Sequence, residues 1–76
     1  MGTNRRRATV AAELRAELAR QRMSVLALSS ATNITVPTLR NRLQGKSPFY
    51  LEELDLICAA LGVGLSAFVD RTEVPA

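Results

Sequence analysis

The sequence predicts an all-α protein, a compact bundle of about five short helices in a chain of 76 residues. Three observations predict this class. Apolar residues recur at spacings of three and four, which is the period of an amphipathic helix. Serine, threonine, asparagine and glycine stand at the breaks between these segments, where helices begin and end. Hydrophobic residues make up 47% of the chain, which is enough for one small core and argues against disorder.

The first helix is expected to run from about Ala8 to about Arg22. Residues 1–8 are polar and basic and lack apolar periodicity, so we expect them to form a flexible arm. The apolar stripe of the helix has a period of about four residues. Its members are Val10, Leu14 and Leu18, with Ala11 beside them.

Two short helices joined by a tight turn are predicted next. Ser24 is a good N-cap for the second helix, and Asn33 stands where the turn needs a left-handed backbone. Thr35 is the N-cap candidate of a third helix, with Pro37 in its first turn and Gly45 at its end. Helices 2 and 3 therefore form a helix-turn-helix, which by itself is a weak signal of function.

The last part of the chain predicts two further helices. The fourth runs from about Leu51 to Leu61 and is ended by Gly62, and a last turn of helix runs from Ser66 to about Val69. The apolar face of the fourth helix is expected to consist of Leu51, Leu54, Ile57, Cys58 and Leu61. The folded domain then covers residues 9–70, and residues 71–76 are expected to be a flexible tail.

The residue types that are missing exclude several classes of protein. Without histidine, the chain cannot build a Ser-His-Asp or a Cys-His nucleophile pair. Cys58 is the only cysteine, which excludes an internal disulfide and a multi-cysteine zinc site. We therefore expect that the protein is not an enzyme and that it binds no cofactor, no metal and no small-molecule substrate. The absence of a targeting signal and of a membrane-length apolar stretch predicts a cytoplasmic protein, in a bacterial cell or a phage-infected host cell.

The charge of the chain is divided unevenly along its length. Residues 1–50 hold nine basic side chains against two acidic ones, whereas residues 51–76 hold one basic side chain against five acidic ones. One half of the chain is thus suited to face a polyanion and the other half is not. This asymmetry favours nucleic acid as the partner.

Five stretches resemble the Cro/CI-type (XRE-like) helix-turn-helix family of phage and bacterial repressors. They are residues 23–28 (MSVLAL), 33–35 (NIT), 38–45 (TLRNRLQG), 51–54 (LEEL) and 59–63 (AALGV). The resemblance implies a lambda-repressor-like DNA-binding domain and covers about residues 9–70, nearly the whole chain.

The resemblance also implies a DNA-binding surface in which the third helix enters the major groove. The positions that read bases are Val36, Pro37, Arg40 and Asn41, with Arg40 suited to guanine and Asn41 to adenine. The positions that contact the DNA backbone are Ser24, Val25, Thr35, Thr38, Lys46 and Ser47. Arg5, Arg6 and Arg7 resemble the basic arms that some relatives wrap around DNA.

The chain departs from the family pattern at four positions. Val25 stands where glutamine is frequent and Leu26 where a charged residue is frequent, so each either packs on the first helix or contributes to a subunit contact. Asn33 replaces the turn glycine. Arg42 occupies a place that is often apolar, so either the third helix is slightly rotated or the stem of Arg42 extends over the core. Arg40, Asn41 and Arg42 are otherwise expected on the outer surface of the third helix.

These inferences predict a sequence-specific DNA-binding transcriptional regulator, in particular a phage Cro-like repressor that occupies operator DNA. Such proteins usually bind palindromic sites as two-fold dimers, here through Leu65, Phe68, Val69 and the tail, although a monomer that assembles only on DNA stays open. Two alternatives also stay open. One is an antitoxin-type interaction module that regulates its own gene, and the other is the DNA-binding part of a longer repressor.

Overall fold

A computed structural model describes the backbone of residues 2–72 and the side chains of residues 9–70. Within that range the chain forms five helices and no strand, which confirms the predicted all-α bundle. The helices are α1 (Gly2–Gln21), α2 (Val25–Thr32), α3 (Val36–Leu43), α4 (Leu51–Leu61) and α5 (Leu65–Thr72). Over the same residues, no helix combines the length and the apolar character needed to cross a membrane.

Two of the predicted helix ends were wrong. α1 begins at Gly2 and not near Ala8, because arginine and alanine are strong helix formers that carry a helix beyond its apolar stripe. α5 continues to Thr72 and not only to Val69, because the sequence contains no helix breaker before Pro75. The side chains of the arm residues and all of residues 73–76 lie outside the described part, so the division into arm, domain and tail stays a prediction.

The turns between the helices follow the predicted caps closely. Ser24 caps α2, since its hydroxyl oxygen accepts the N–H of Ala27 at 3.0 Å. Asn33 has a φ of 62°, and Gly62 ends α4 with a φ of 72°. Thr35 has the extended backbone of an N-cap, but its hydroxyl makes no capping bond and instead donates to Oγ1 of Thr38 at 2.9 Å.

The core lies where all five helices meet. It consists of Leu14, Leu18, Leu28, Leu39, Leu43, Ile57, Cys58, Leu61 and Phe68. Two sequence expectations about packing were wrong. Leu51 is 66% exposed, because it is the first residue of α4, whereas the core residues of that helix, Ile57, Cys58 and Leu61, lie towards its other end. Phe68 was expected at a dimer surface but fills the core with 1% of its surface exposed, and it is the largest of the fully buried side chains.

The C-terminal end of α1 is tied to α4 by polar contacts. Glu17 is buried, although it is not a member of the apolar stripe of this helix. Its carboxylate accepts hydrogen bonds from Arg20 at 2.6 Å and from Gln21 at 2.8 Å. The Gln21 amide also donates to the carbonyl of Leu61 at 2.6 Å. These bonds satisfy a buried carboxylate and a helix-end carbonyl that would otherwise cost free energy.

Candidate nucleic-acid interface

Hydrogen bonds from α2 side chains fix the turn between α2 and α3. The Ser29 hydroxyl donates to the carbonyl of Ile34 at 2.6 Å. The hydroxyl of the buried Thr32 donates to the carbonyl of Leu28 at 2.8 Å and accepts the N–H of Ile34 at 3.3 Å. Because these groups hold the chain directly before α3, the two helices meet at a fixed angle.

α3 is packed through one face and exposed on the other. Leu39 is fully buried and Leu43 is 5% exposed, and both belong to the core. Arg40 and Asn41 lie between them in sequence and are exposed. Because residues four apart share a helix face, the two leucines determine which side of α3 points outwards.

Arg15 of α1 holds the C-terminal end of α3. Its guanidinium donates to the main-chain carbonyl of Leu43, one of the carbonyls that a helix leaves without a partner inside the helix. A cation at this end is also favoured by the helix dipole. No local pattern in the sequence indicates this role of Arg15, because its partner is 28 residues away.

Arg42 was expected on the outer surface of α3, and this was wrong. Its side chain is only 15% exposed and turns towards the start of α4. There Nε and Nη2 donate to the two carboxylate oxygens of Glu53 at 2.6 and 3.0 Å, and the guanidinium lies 5.2 Å from the centre of the Tyr50 ring. Arg42 is thus an anchor of α3 and is not available to a ligand.

Glu53 joins this anchor to the first turn of α4. One of its oxygens also accepts the main-chain N–H of Tyr50 at 2.9 Å, which is the donor that a helix start leaves open. The hydrogen bond from Arg42 is the main cause that lowers the pKa of Glu53 below its ordinary value, and the Tyr50 N–H acts in the same direction, whereas burial opposes both.

We expect Glu53→Gln to lower the free energy of unfolding by about 1 kcal/mol at pH 7, because the charged partner of Arg42 is lost at a partly screened site. A lowered folded-state pKa contributes stability above the unfolded value of about 4.3 and loses it as the pH falls through the folded value. The difference between the two proteins should therefore shrink as the pH falls below about 5, measured by urea unfolding. Glu52→Gln is the control, because Glu52 is an exposed neighbour. If both variants lower the free energy of unfolding equally at pH 7, the role of Glu53 is contradicted.

The fold brings the predicted site residues onto neighbouring elements. Ser24, Val25 and Arg40 line one open groove of about 430 Å³ between α1, α2 and α3, together with Arg15 and Gln44. Thr35 pairs with Thr38 at the start of α3. Ser47 contacts Asn41 at 3.3 Å, and Lys46 is exposed beside them. Val36 is half-buried and Pro37 is exposed.

This arrangement defines a class of protein, the small helical domains that present a helix-turn-helix with an exposed basic helix to DNA. The chain belongs to the Cro/C1-type HTH DNA-binding domain family, whose sequence profile matches residues 13–72. Neither a curated protein nor a solved structure matches the chain significantly. The family confirms the resemblance found in the sequence. It makes the protein a DNA-binding regulator whose partner is double-stranded DNA, within a family that is typically not enzymatic.

Proposed function

We propose that the protein is a sequence-specific transcriptional repressor that occupies operator DNA through the major groove, as a phage Cro-like regulator does. One observation carries the proposal: Arg40 and Asn41 are exposed on a helix that Leu39, Arg42 and Leu43 fix to the rest of the domain. A rigidly mounted pair of side chains with directional donors is what reading base edges requires. The protein acts where bacterial DNA is found, in the cytoplasm of the host or of an infected cell.

The proposed roles of the individual residues are those that the family resemblance implies. Base edges are contacted by Val36, Pro37, Arg40 and Asn41, and the DNA backbone by Ser24, Val25, Thr35, Thr38, Lys46 and Ser47. The Ser24 hydroxyl oxygen accepts the N–H of Ala27, so the main-chain N–H groups left for a phosphate at the start of α2 are those before Ala27. Arg5, Arg6 and Arg7, whose side chains lie outside the described part, contact DNA as a basic arm.

The same proposal includes two-fold binding to a palindromic operator, with dimerisation in solution or only on DNA. The dimer surface expected from the sequence loses Phe68, which is buried in the core. Large apolar side chains are exposed elsewhere, on α2, on α4 and just before α4. They are Leu26, Tyr50, Leu51 and Leu56.

Selection of bound sequences from a random duplex library tests the proposal, followed by affinity measurements across salt concentrations. We expect a palindromic consensus and a log–log salt slope of several units, because each neutralised phosphate contributes about 0.9. If no sequence is enriched and binding is absent or insensitive to salt, the proposal is wrong. An enriched sequence without two-fold symmetry would support the proposed base reading but contradict binding to a palindromic operator.

A further inference from the structure

A chain of hydrogen bonds runs from the start of α4 to the exposed face of α3. Glu53 holds Arg42 through two bonds. The third nitrogen of that guanidinium, Nη1, donates to the hydroxyl oxygen of Ser47 at 3.1 Å. The Ser47 hydroxyl in turn lies 3.3 Å from the side-chain oxygen of Asn41. Asn41 is thus connected to a half-buried ion pair on another helix.

The donors and acceptors of these groups give the chain one direction. A guanidinium can only donate, so the Ser47 oxygen must accept from Arg42. The single hydroxyl proton of Ser47 then remains for Asn41, whose side-chain oxygen accepts it. Because this bond holds the amide oxygen towards the loop, the amide nitrogen with its two N–H groups lies on the other side of the side-chain carbonyl carbon.

This direction decides which base edge the amide can recognise. Pairing with adenine needs both halves of the amide, because the oxygen must accept from N6 while the nitrogen donates to N7. An amide whose oxygen is turned towards the loop presents its N–H groups to the groove, and these fit an edge that offers acceptors. Guanine presents two acceptors, N7 and O6, and thymine presents O4.

We propose that Ser47 is a specificity-determining positioning residue, which makes Asn41 a donor-only reader of guanine or thymine in place of the adenine contact expected from sequence. The inference rests on the proposed function, since it names the base that one of the proposed contacts selects. It replaces the phosphate contact assigned to Ser47, whose hydroxyl is occupied on both sides within the protein.

The test compares library selections for the wild-type chain, Asn41→Ala, Ser47→Ala and Ser47→Thr. Asn41→Ala identifies the base pair that Asn41 reads, as the position where preference disappears. We expect guanine or thymine there in the wild type, favoured over adenine by about tenfold or more. Ser47→Ala frees the amide to turn and brings this ratio close to one. Ser47→Thr keeps a hydroxyl at the same place and retains the preference.

A readout on the free protein separates this relay from a merely structural role. We expect the side-chain N–H groups of Asn41 to show restricted motion by NMR relaxation in the wild type and in Ser47→Thr, and free motion in Ser47→Ala, with the melting temperature of Ser47→Ala close to that of the wild type. Adenine at the Asn41 position, or an unchanged preference in Ser47→Ala, overturns the inference while leaving the proposed function intact. The absence of any enriched sequence for the wild type overturns both.

Discussion

Leu39→Ala is expected to lower the free energy of unfolding by about 3 kcal/mol, within the range of 2–5 kcal/mol found for buried leucines. Leu39 has no exposed surface and belongs to the core where α3 meets the other helices. Its loss removes apolar contacts and leaves a cavity that the short helix cannot close. For 76 residues the whole stability is roughly 4–11 kcal/mol, so the change removes a large part of it. Urea unfolding followed by circular dichroism measures the effect.

Leu26→Ala provides the matched control for this prediction. The same side chain is removed from the neighbouring helix, at a position that is 69% exposed. The expected change is within about 0.5 kcal/mol, as for most exposed positions. If both variants lower the free energy of unfolding equally, Leu39 does not attach α3 to the core. The orientation of Arg40 would then not be fixed in this way.

Arg40→Ala is expected to weaken binding to the best DNA site by about 1–3 kcal/mol and to relax the preference at one base pair. The exposed guanidinium of Arg40 stands on the outer side of α3, where its fork of donors fits the two acceptors of guanine. Since the side chain does not contribute to the core, the stability of the protein should hardly change. Affinities for the selected site and for its single-base variants measure the effect.

Lys46→Ala is the control for Arg40→Ala because it removes a cation from the exposed loop after α3. If Lys46 contacts a phosphate, its replacement should weaken binding to all DNA sequences about equally and reduce the salt slope by about 1. If Arg40→Ala also weakens binding to all DNA sequences equally, Arg40 contacts a phosphate and does not read a base. The base reading would then fall on Asn41, Val36 and Pro37.

Local signals were sufficient to predict most of the helix boundaries. Ser24, Asn33 and Gly62 act within a few residues of themselves, as caps and left-handed turns, and the structure confirms each of them. The start of α1 could not be predicted from apolar periodicity, because the residues before Ala8 continue the helix through their intrinsic helix propensity. Leu51 was misplaced because periodicity gives the face of a helix but not how far along it the packing extends.

The candidate site was predictable in its location and less so in its connections. The exposed positions of Arg40 and Asn41 follow from the spacing of Leu39 and Leu43. The pairing of Arg42 with Glu53 and the contact of Arg15 with Leu43 join different helices over 11 and 28 residues. No local pattern in one sequence encodes such pairs, because they depend on how the helices pack together.

α3 has eight residues. Because of the helical period, the residues that attach α3 to the core and the residues that are exposed to solvent are interspersed along it. Leu39, Arg42 and Leu43 attach the helix, while the exposed side chain of Arg40 does not belong to the core. The exposed face can therefore be rewritten without disturbing the framework beneath it. A library that varies position 40, with the attaching residues and Ser47 kept, is a direct route to retargeting this domain to new DNA sequences.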